Sequence, residues 1–242
     1  MTARAMWLEI RDELLGILRE PTALFFSVLM PVGFYTFFAA VFGNQGGDIG
    51  TEAIVPFGTF GVLAVVLMNP GIGMADARQR GWLRVKRVSG IPLWMTVTAK
   101  VIASIPYALA VLAAITTSAV FVGGMQFEPA EVAAVYAVLI LGVLPFAFFS
   151  LAIGSRAGTN ASAAILNAIL MPSAIASGLW FPYEMLPDIV ARIGSILPTY
   201  HLAQLAMVPV DGGAWLGHLL VLAATAALGA IVATMAYRTA RL

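Results

Sequence analysis

A chain of 242 residues that is 61% hydrophobic and 10% charged departs from water-soluble composition, in which about a quarter of residues carry charge. That excludes an ordinary soluble enzyme, and the lack of cysteine removes disulfides, thiol nucleophiles and thiolate metal sites. The net charge of +1 says little as a sum, so its distribution along the chain is the useful quantity.

The first element to emerge is MWLEIRDELLGILRE, where Trp7, Ile10, Leu14, Ile17 and Leu18 recur at helical spacing while Glu9, Asp12, Glu13, Arg19 and Glu20 take the other side. An amino-terminal amphipathic, interfacial helix is expected over residues 3–20, its apolar face on the inner leaflet and Trp7 at the headgroups. The charged face is left for water or another subunit, and its acids argue against a generic tether to anionic lipid.

About 20 apolar residues are needed to cross roughly 30 Å of hydrocarbon. Six segments qualify: Thr22 to Phe42, Ala53 to Met74, Met95 to Val122, Val132 to Ile153, Ser162 to Phe181 and Trp215 to Tyr237. Their apolar residues run consecutively instead of alternating, which favours helices over a β-barrel. The expected fold is an all-α integral membrane protein in which residues 1–242 form a single transmembrane domain. Pro21 suits the start of the first span, and the run Gly43, Asn44, Gln45, Gly46, Gly47 suits its end. Pro31, Pro56, Pro70, Pro106, Pro145 and Pro172 fall in or near spans, as hinges or as static bends. No internal repeat is visible, and the first apolar run lacks the form of a cleavable signal peptide.

Between the second and third spans, DARQRGWLRVKRVSGIPLWM gathers Arg78, Arg80, Arg84, Lys86 and Arg87 around Gly81 and Trp82. Residues 76–94 are too polar to cross lipid and are expected to form a short cytoplasmic helix and turn. Either they bind an acidic protein surface, or they fix topology and attract phospholipid. Within the spans, Asn69, Asn160, Asn167, Ser173 and Ser177 either line a translocation path or pack helices together. Formal charges are rare there, so an amphiphile fits the bundle better than a hydrated ion. After the fifth span, Pro182, Pro187, Pro198 and Pro209 make a straight crossing improbable. Residues 182–210 are expected to form short outer or re-entrant helices, as a gate or as a cap, with Trp180, Phe181, Tyr183 and Tyr200 as interfacial anchors.

Six crossings place both termini on one side. Arg4, Arg11, Arg19, Arg78, Arg80, Arg84, Lys86, Arg87, Lys100, Arg156, Arg238 and Arg241 then share that side, leaving Arg192 opposite. The positive-inside rule makes it cytoplasmic. The acids Asp48, Glu52, Glu128, Glu131, Glu184, Asp188 and Asp211 lie outside. No G-x-x-x-x-G-K-[ST] phosphate cradle occurs, so ATP-driven work would need its hydrolysis in another chain. His201 and His218 lack metal-ligand companions and read as interfacial or packing residues. No catalytic triad can be assigned, so catalytic, cofactor-binding and metal residues are not expected in this chain.

This order of elements resembles the membrane (permease) subunit of type 2 ABC exporters, particularly the drug and natural-product resistance exporter permeases. The resemblance spans essentially the whole chain through REPTALFFSVLMPVGFYTFF, RQRGWLRVKRVSGIPLWMTVTAK and MPSAIASGLWFPYEMLPDIVARIGSILPTYHL. The family's E-R-E-R-G coupling pattern is met by Arg78, Arg80 and Gly81, with Ala77 and Gln79 in place of its glutamates. Val88, Ser89, Pro92 and Lys100 match later positions, whereas Gly90 replaces a usual proline. Ser177, Gly178, Phe181, Pro182, Pro187, Pro198 and Tyr200 match the S-G-x-x-F-P, L-P and P-x-x-Y features near the family's translocation exit.

The resemblance implies a coupling interface at Arg78, Arg80, Gly81, Trp82, Arg84, Lys86 and Arg87 and an outer gate at Gly178, Phe181, Pro182, Pro187, Pro198 and Tyr200. It implies two ABC ATP-binding subunits holding ATP and Mg2+, and a second identical or similar permease subunit. The setting is a bacterial-type inner or plasma membrane, and nucleic acid is not an expected partner. A membrane scaffold or a channel subunit is the alternative.

Overall fold

A computed structural model describes residues 3–19, 21–42, 53–123, 127–181 and 183–238. The expected helix stop at Gly43 to Gly47, the acids Glu20, Asp48 and Glu52, the gate residue Pro182 and Arg241 lie outside those residues. Among the described residues the chain is helical, without strands. In order come α1 (Ala3–Leu18), α2 (Pro21–Phe42), α3 (Ile54–Gln79), α4 (Trp82–Val88) and α5 (Leu93–Ser118) with a π-helical turn at Ala119–Gly123. They are followed by α6 (Pro129–Gly142), α7 (Leu144–Arg156), α8 (Thr159–Ala176), a 3-10 turn at Tyr183–Met185, α9 (Asp188–Gly194), α10 (Pro198–Asp211) and α11 (Leu216–Arg238).

Five stretches among the described residues are long and apolar enough to cross a membrane: α3, α5 through Val122, α6 with α7, α8, and α11 through Ala236. The chain is thus an all-α, multi-pass membrane protein. The apolar stretch Val28–Val41 of α2 is shorter and packs into the same bundle.

Several boundaries differ from expectation for local reasons. The second span runs on to Gln79, so Asp76 to Gln79 belong to α3 and not to the following turn. The fourth is two helices, because Pro145 lacks the N–H that would continue the ladder across Val143. The fifth stops at Ala176, since Gly178 takes a left-handed φ of 74° that ends the helix before Phe181.

Burial orders the bundle. The most apolar window of α3 is 78% buried and that of α11 only 11%, so α3 is the axis and α11 the periphery. Around α3 gather Tyr35 of α2, Val111 and Ile115 of α5, Leu139 of α6, Leu166 and Leu170 of α8 and Leu202 of α10. Against α7 the backbones themselves meet: a Cβ on Gly154 would lie 2.0 Å from the Gly71 carbonyl oxygen. Small residues permit this approach, which brings dispersion contacts that lipid cannot replace. The ends of α3, α7 and α11 and the starts of α5 and α8 gather with α4 at one end of the bundle; α9 and α10 sit at the other.

Gly154→Ala should therefore destabilise the fold by about 1–3 kcal/mol or more through overpacking. Gly217→Ala, where a Cβ meets nothing within 4 Å, should not. Thermal unfolding of the two purified variants checks the contrast.

Candidate functional site

At the α4 end, Glu9 and Glu13 stand four residues apart on one face of α1. Lys86 Nζ lies 2.5 Å from Glu9 Oε2 and 3.8 Å from Glu13 Oε1, while Lys100 Nζ lies 2.8 Å from Glu13 Oε2. Thr96 donates to Glu9 at 3.5 Å, and the Tyr107 hydroxyl donates to the Leu14 carbonyl at 2.7 Å. These contacts advance together along α1 and α5, so the two helices run side by side in the same direction.

The Lys100 side chain is only 4% exposed, and its ammonium lies close enough to α3 that a Cβ on Gly73 would meet it at 3.2 Å. An ammonium buried among apolar helices is costly unless paired, and Glu13 supplies that pair. Glu9 and Glu13, expected to face water or another subunit, are instead turned onto this chain's own lysines, whereas Asp12 stays exposed. The face left exposed carries Arg4, Trp7, Leu8, Arg11, Leu15 and Leu18.

The expected coupling residues divide into two groups. Arg78 points back into the bundle, donating from Nη2 to the carbonyls of Ala157 at 2.8 Å and Arg156 at 3.4 Å. Arg80 pairs with Asp76 at 2.8 Å on the surface. Gly81, at φ 77°, makes the sharp turn into α4. On α4, Leu83 is buried with Met74, Ala77 and Leu151, and Lys86 is tied to α1. Trp82, Val85 and Val88 project at 55%, 52% and 89% exposure, with Arg84 exposed beside them. Arg87 lies on the same helix. A groove of about 290 Å³ runs beneath α4, lined by Leu83, Lys86, Ile91, Pro92 and Thr96 among others.

Glu9, Glu13, Lys100, Gln79, Thr159 and Arg156 also build this end and were missed as site residues. Gln79 Oε1 accepts from the Thr159 N–H at 2.9 Å and its hydroxyl at 2.5 Å, and Arg156 Nε donates to the Ala236 carbonyl at 2.8 Å. A lysine interrupting the apolar run at 100, with two acids spaced for one helix face, was the signal available for the ion pairs.

The candidate path residues do not converge on one cavity among the described residues. Asn160 and Asn167 lie on the exposed face of α8, the latter donating to Ala163 O at 3.0 Å and reaching Met68 Sδ at 3.8 Å. Asn69 is on α3, with Nδ2 buried and without a partner. Ser173 bonds back to Leu170, and Ser177 is closed by a 2.6 Å hydroxyl contact to Thr199 of α10.

At the far end, Gly178 turns the chain so that Phe181 packs edge-on against Phe38, with ring centroids 5.7 Å apart. Pro187 precedes α9 and Pro198 opens α10, where a missing N–H is no loss. Tyr200 packs on Tyr183, whose hydroxyl donates to Ala191 O. Beside it, His201 Nδ1 lies 2.8 Å from His218 Nδ1, linking α10 to α11. Burial, reinforced by His218, lowers the His201 pKa from 6.5 against an opposing Ser195 backbone hydrogen bond. No group of three or more metal-ligating side chains occurs among the described residues.

Glu13→Ala should cost about 3–5 kcal/mol by stranding the Lys100 ammonium. Glu13→Leu with Lys100→Met should recover most of that loss, and a double-mutant cycle on unfolding measures it. Because folding favours neutral His201, its contribution to stability is fully present above pH 6.5 and is lost as pH falls through and below that value. His201→Phe should flatten this dependence in melts taken from about pH 7.5 to 5.5.

Residues 4–210 match the ABC-2 type transporter family. The Bacillus subtilis (strain 168) protein "Putative transport permease YvfS" is 29% identical over 217 residues, covering 87% of this chain and 88% of that relative. A match over most of the chain, on a bundle of long apolar helices with a polar end built around α1 and α4, makes this protein a member of the ABC-2 type transporter family.

Proposed function

We propose that the chain is one membrane half of an ATP-driven exporter, assembled from two permease subunits and two ATP-binding subunits. The observation that carries this reading is the ridge of Trp82, Val85 and Val88, with Arg84, projecting from the polar end of an otherwise apolar bundle. Aromatic, apolar and arginine groups on a firmly held helix suit protein docking better than lipid. Lys86 fastens that helix to α1 and Lys100 fastens α1 to α5, so force applied at the ridge enters the bundle instead of bending α4 alone.

In this reading α2 joins the five long stretches as a sixth span, and the cation-rich α4 end faces the cytoplasm with both termini. α1 lies at the cytoplasmic interface, and the region of α9 and α10 lies outside. The ATP-binding partner holds ATP and Mg2+, and its closure moves α4 and α1, biasing the bundle between inward and outward access.

A second permease subunit covers the exposed face of α8, bringing Asn160 and Asn167 to the path; Asn69 on α3 offers it an unpaired amide. Few charges along the spans fit a hydrophobic or amphiphilic solute such as a drug, antibiotic or lipid, taken from the cytoplasm or inner leaflet. Gly178, Phe181, Tyr200 and the prolines around α9 then form the exit gate.

Trp82→Ala combined with Arg84→Ala should weaken binding of the ATP-binding subunit by about 2 kcal/mol, roughly 30-fold in Kd, while the purified permease remains folded. Unchanged affinity in that folded variant contradicts docking on α4.

A further inference from the structure

We infer that Gln79, assisted by Arg78, is a positioning residue that holds the joint between α7 and α8 and so carries displacement of α4 into α8; this rests on the exporter reading above.

The joint is Ala157 and Gly158, both extended, with ψ 155° and 168°. Backbone of this kind interrupts the helical ladder and leaves the last carbonyls of α7 and the first N–H groups of α8 without partners in their own helices. The end of α3 supplies both sides. Arg78 Nη2 donates across to Ala157 O, and Gln79 Oε1 takes the Thr159 N–H and hydroxyl. Gly158 makes no side-chain cap, and a Cβ there would lie 2.9 Å from Gln79 Nε2, so the amide lies directly over the joint. An N-cap provided by a neighbouring helix fixes position as well as satisfying a donor.

On the other side of Gln79, only Arg80 and Gly81 separate it from α4. The contact surface and the α8 cap are therefore consecutive features of one short segment. The body of α3 is fixed on α7 at Gly71 and Gly154, and Arg156 extends the bonded set to Ala236 of α11. By contrast, α8 meets α3 along its length mainly through apolar side chains such as Leu166 and Leu170, which can slide past their neighbours. Asn160, on the exposed face, is the residue after Thr159, so the Gln79 bonds act where that face begins.

The absence of cysteine allows paired labels to be placed freely. Ser89 at the end of α4 and Ile169 on α8 are exposed, as is Leu141 on α6, which serves as the reference. The permease, joined to its ATP-binding partner in lipid nanodiscs, carries spin labels on Ser89→Cys with Leu141→Cys, or on Ile169→Cys with Leu141→Cys. Distances are compared without nucleotide and with ATP and vanadate.

In the wild-type background both distances should shift. Gln79→Ala should keep the Ser89 shift and lose the Ile169 shift, and Gln79→Glu, whose carboxylate accepts the same two bonds, should restore it. Thr159→Ala, which removes one bond and keeps a small side chain, should reduce the shift if Gln79→Ala fails to assemble. A full Ile169 shift in Gln79→Ala, or in Thr159→Ala where that variant is the one read, overturns the inference. No Ser89 shift in the wild type overturns the ATP-driven reading beneath it. A structural cap alone would lower stability without separating the two shifts.

Discussion

An ammonium group inside an apolar bundle constrains everything around it. Lys100 is held among α1, α3 and α5, and the cost of taking its charge from water is offset only while a carboxylate stays beside it. That requirement fixes the rotation of α1, since Glu13 must face inward, and Glu9 one turn earlier is then presented to Lys86. α4 thereby becomes part of a three-helix unit with α1 and α5 instead of a loose loop. Its exposed apolar ridge follows from the same geometry, because Leu83 and Lys86 face inward and leave Trp82, Val85 and Val88 outside.

The unit is joined to the spans at two levels. Within the bundle, the glycine contact between α3 and α7 makes those helices a single body at backbone distance. At its end, directional bonds from Arg78 and Gln79 hold the α7–α8 turn. Packing at the first level resists separation, and hydrogen bonds at the second resist sliding; a two-state movement of the bundle needs both.

Much of the architecture was legible in the sequence because hydrophobic length is a strong local signal. The first span was expected at Thr22 to Phe42 and α2 is Pro21–Phe42; the last was expected at Trp215 to Tyr237 and α11 is Leu216–Arg238. Boundaries failed where one residue overrides composition, as Pro145 does in splitting the fourth segment and Gly178 in shortening the fifth. The site was less legible because its partners are remote in sequence. The helical wheel put Glu9 and Glu13 on a charged face, but only the fold brings Lys86 and Lys100 to that face. Arg78 read as a surface cation, yet one further turn of α3 aims it at the α7 end.

The proposed orientation puts the α4 end in the cytoplasm, where it receives a motor subunit. Its most direct measurement is labelling of Val88→Cys by a membrane-impermeant thiol reagent in oriented vesicles, with and without the ATP-binding subunit. Labelling is expected only from the cytoplasmic face, with protection when the subunit is bound. Labelling from the opposite face, or equal labelling with the subunit bound, contradicts that orientation and that contact.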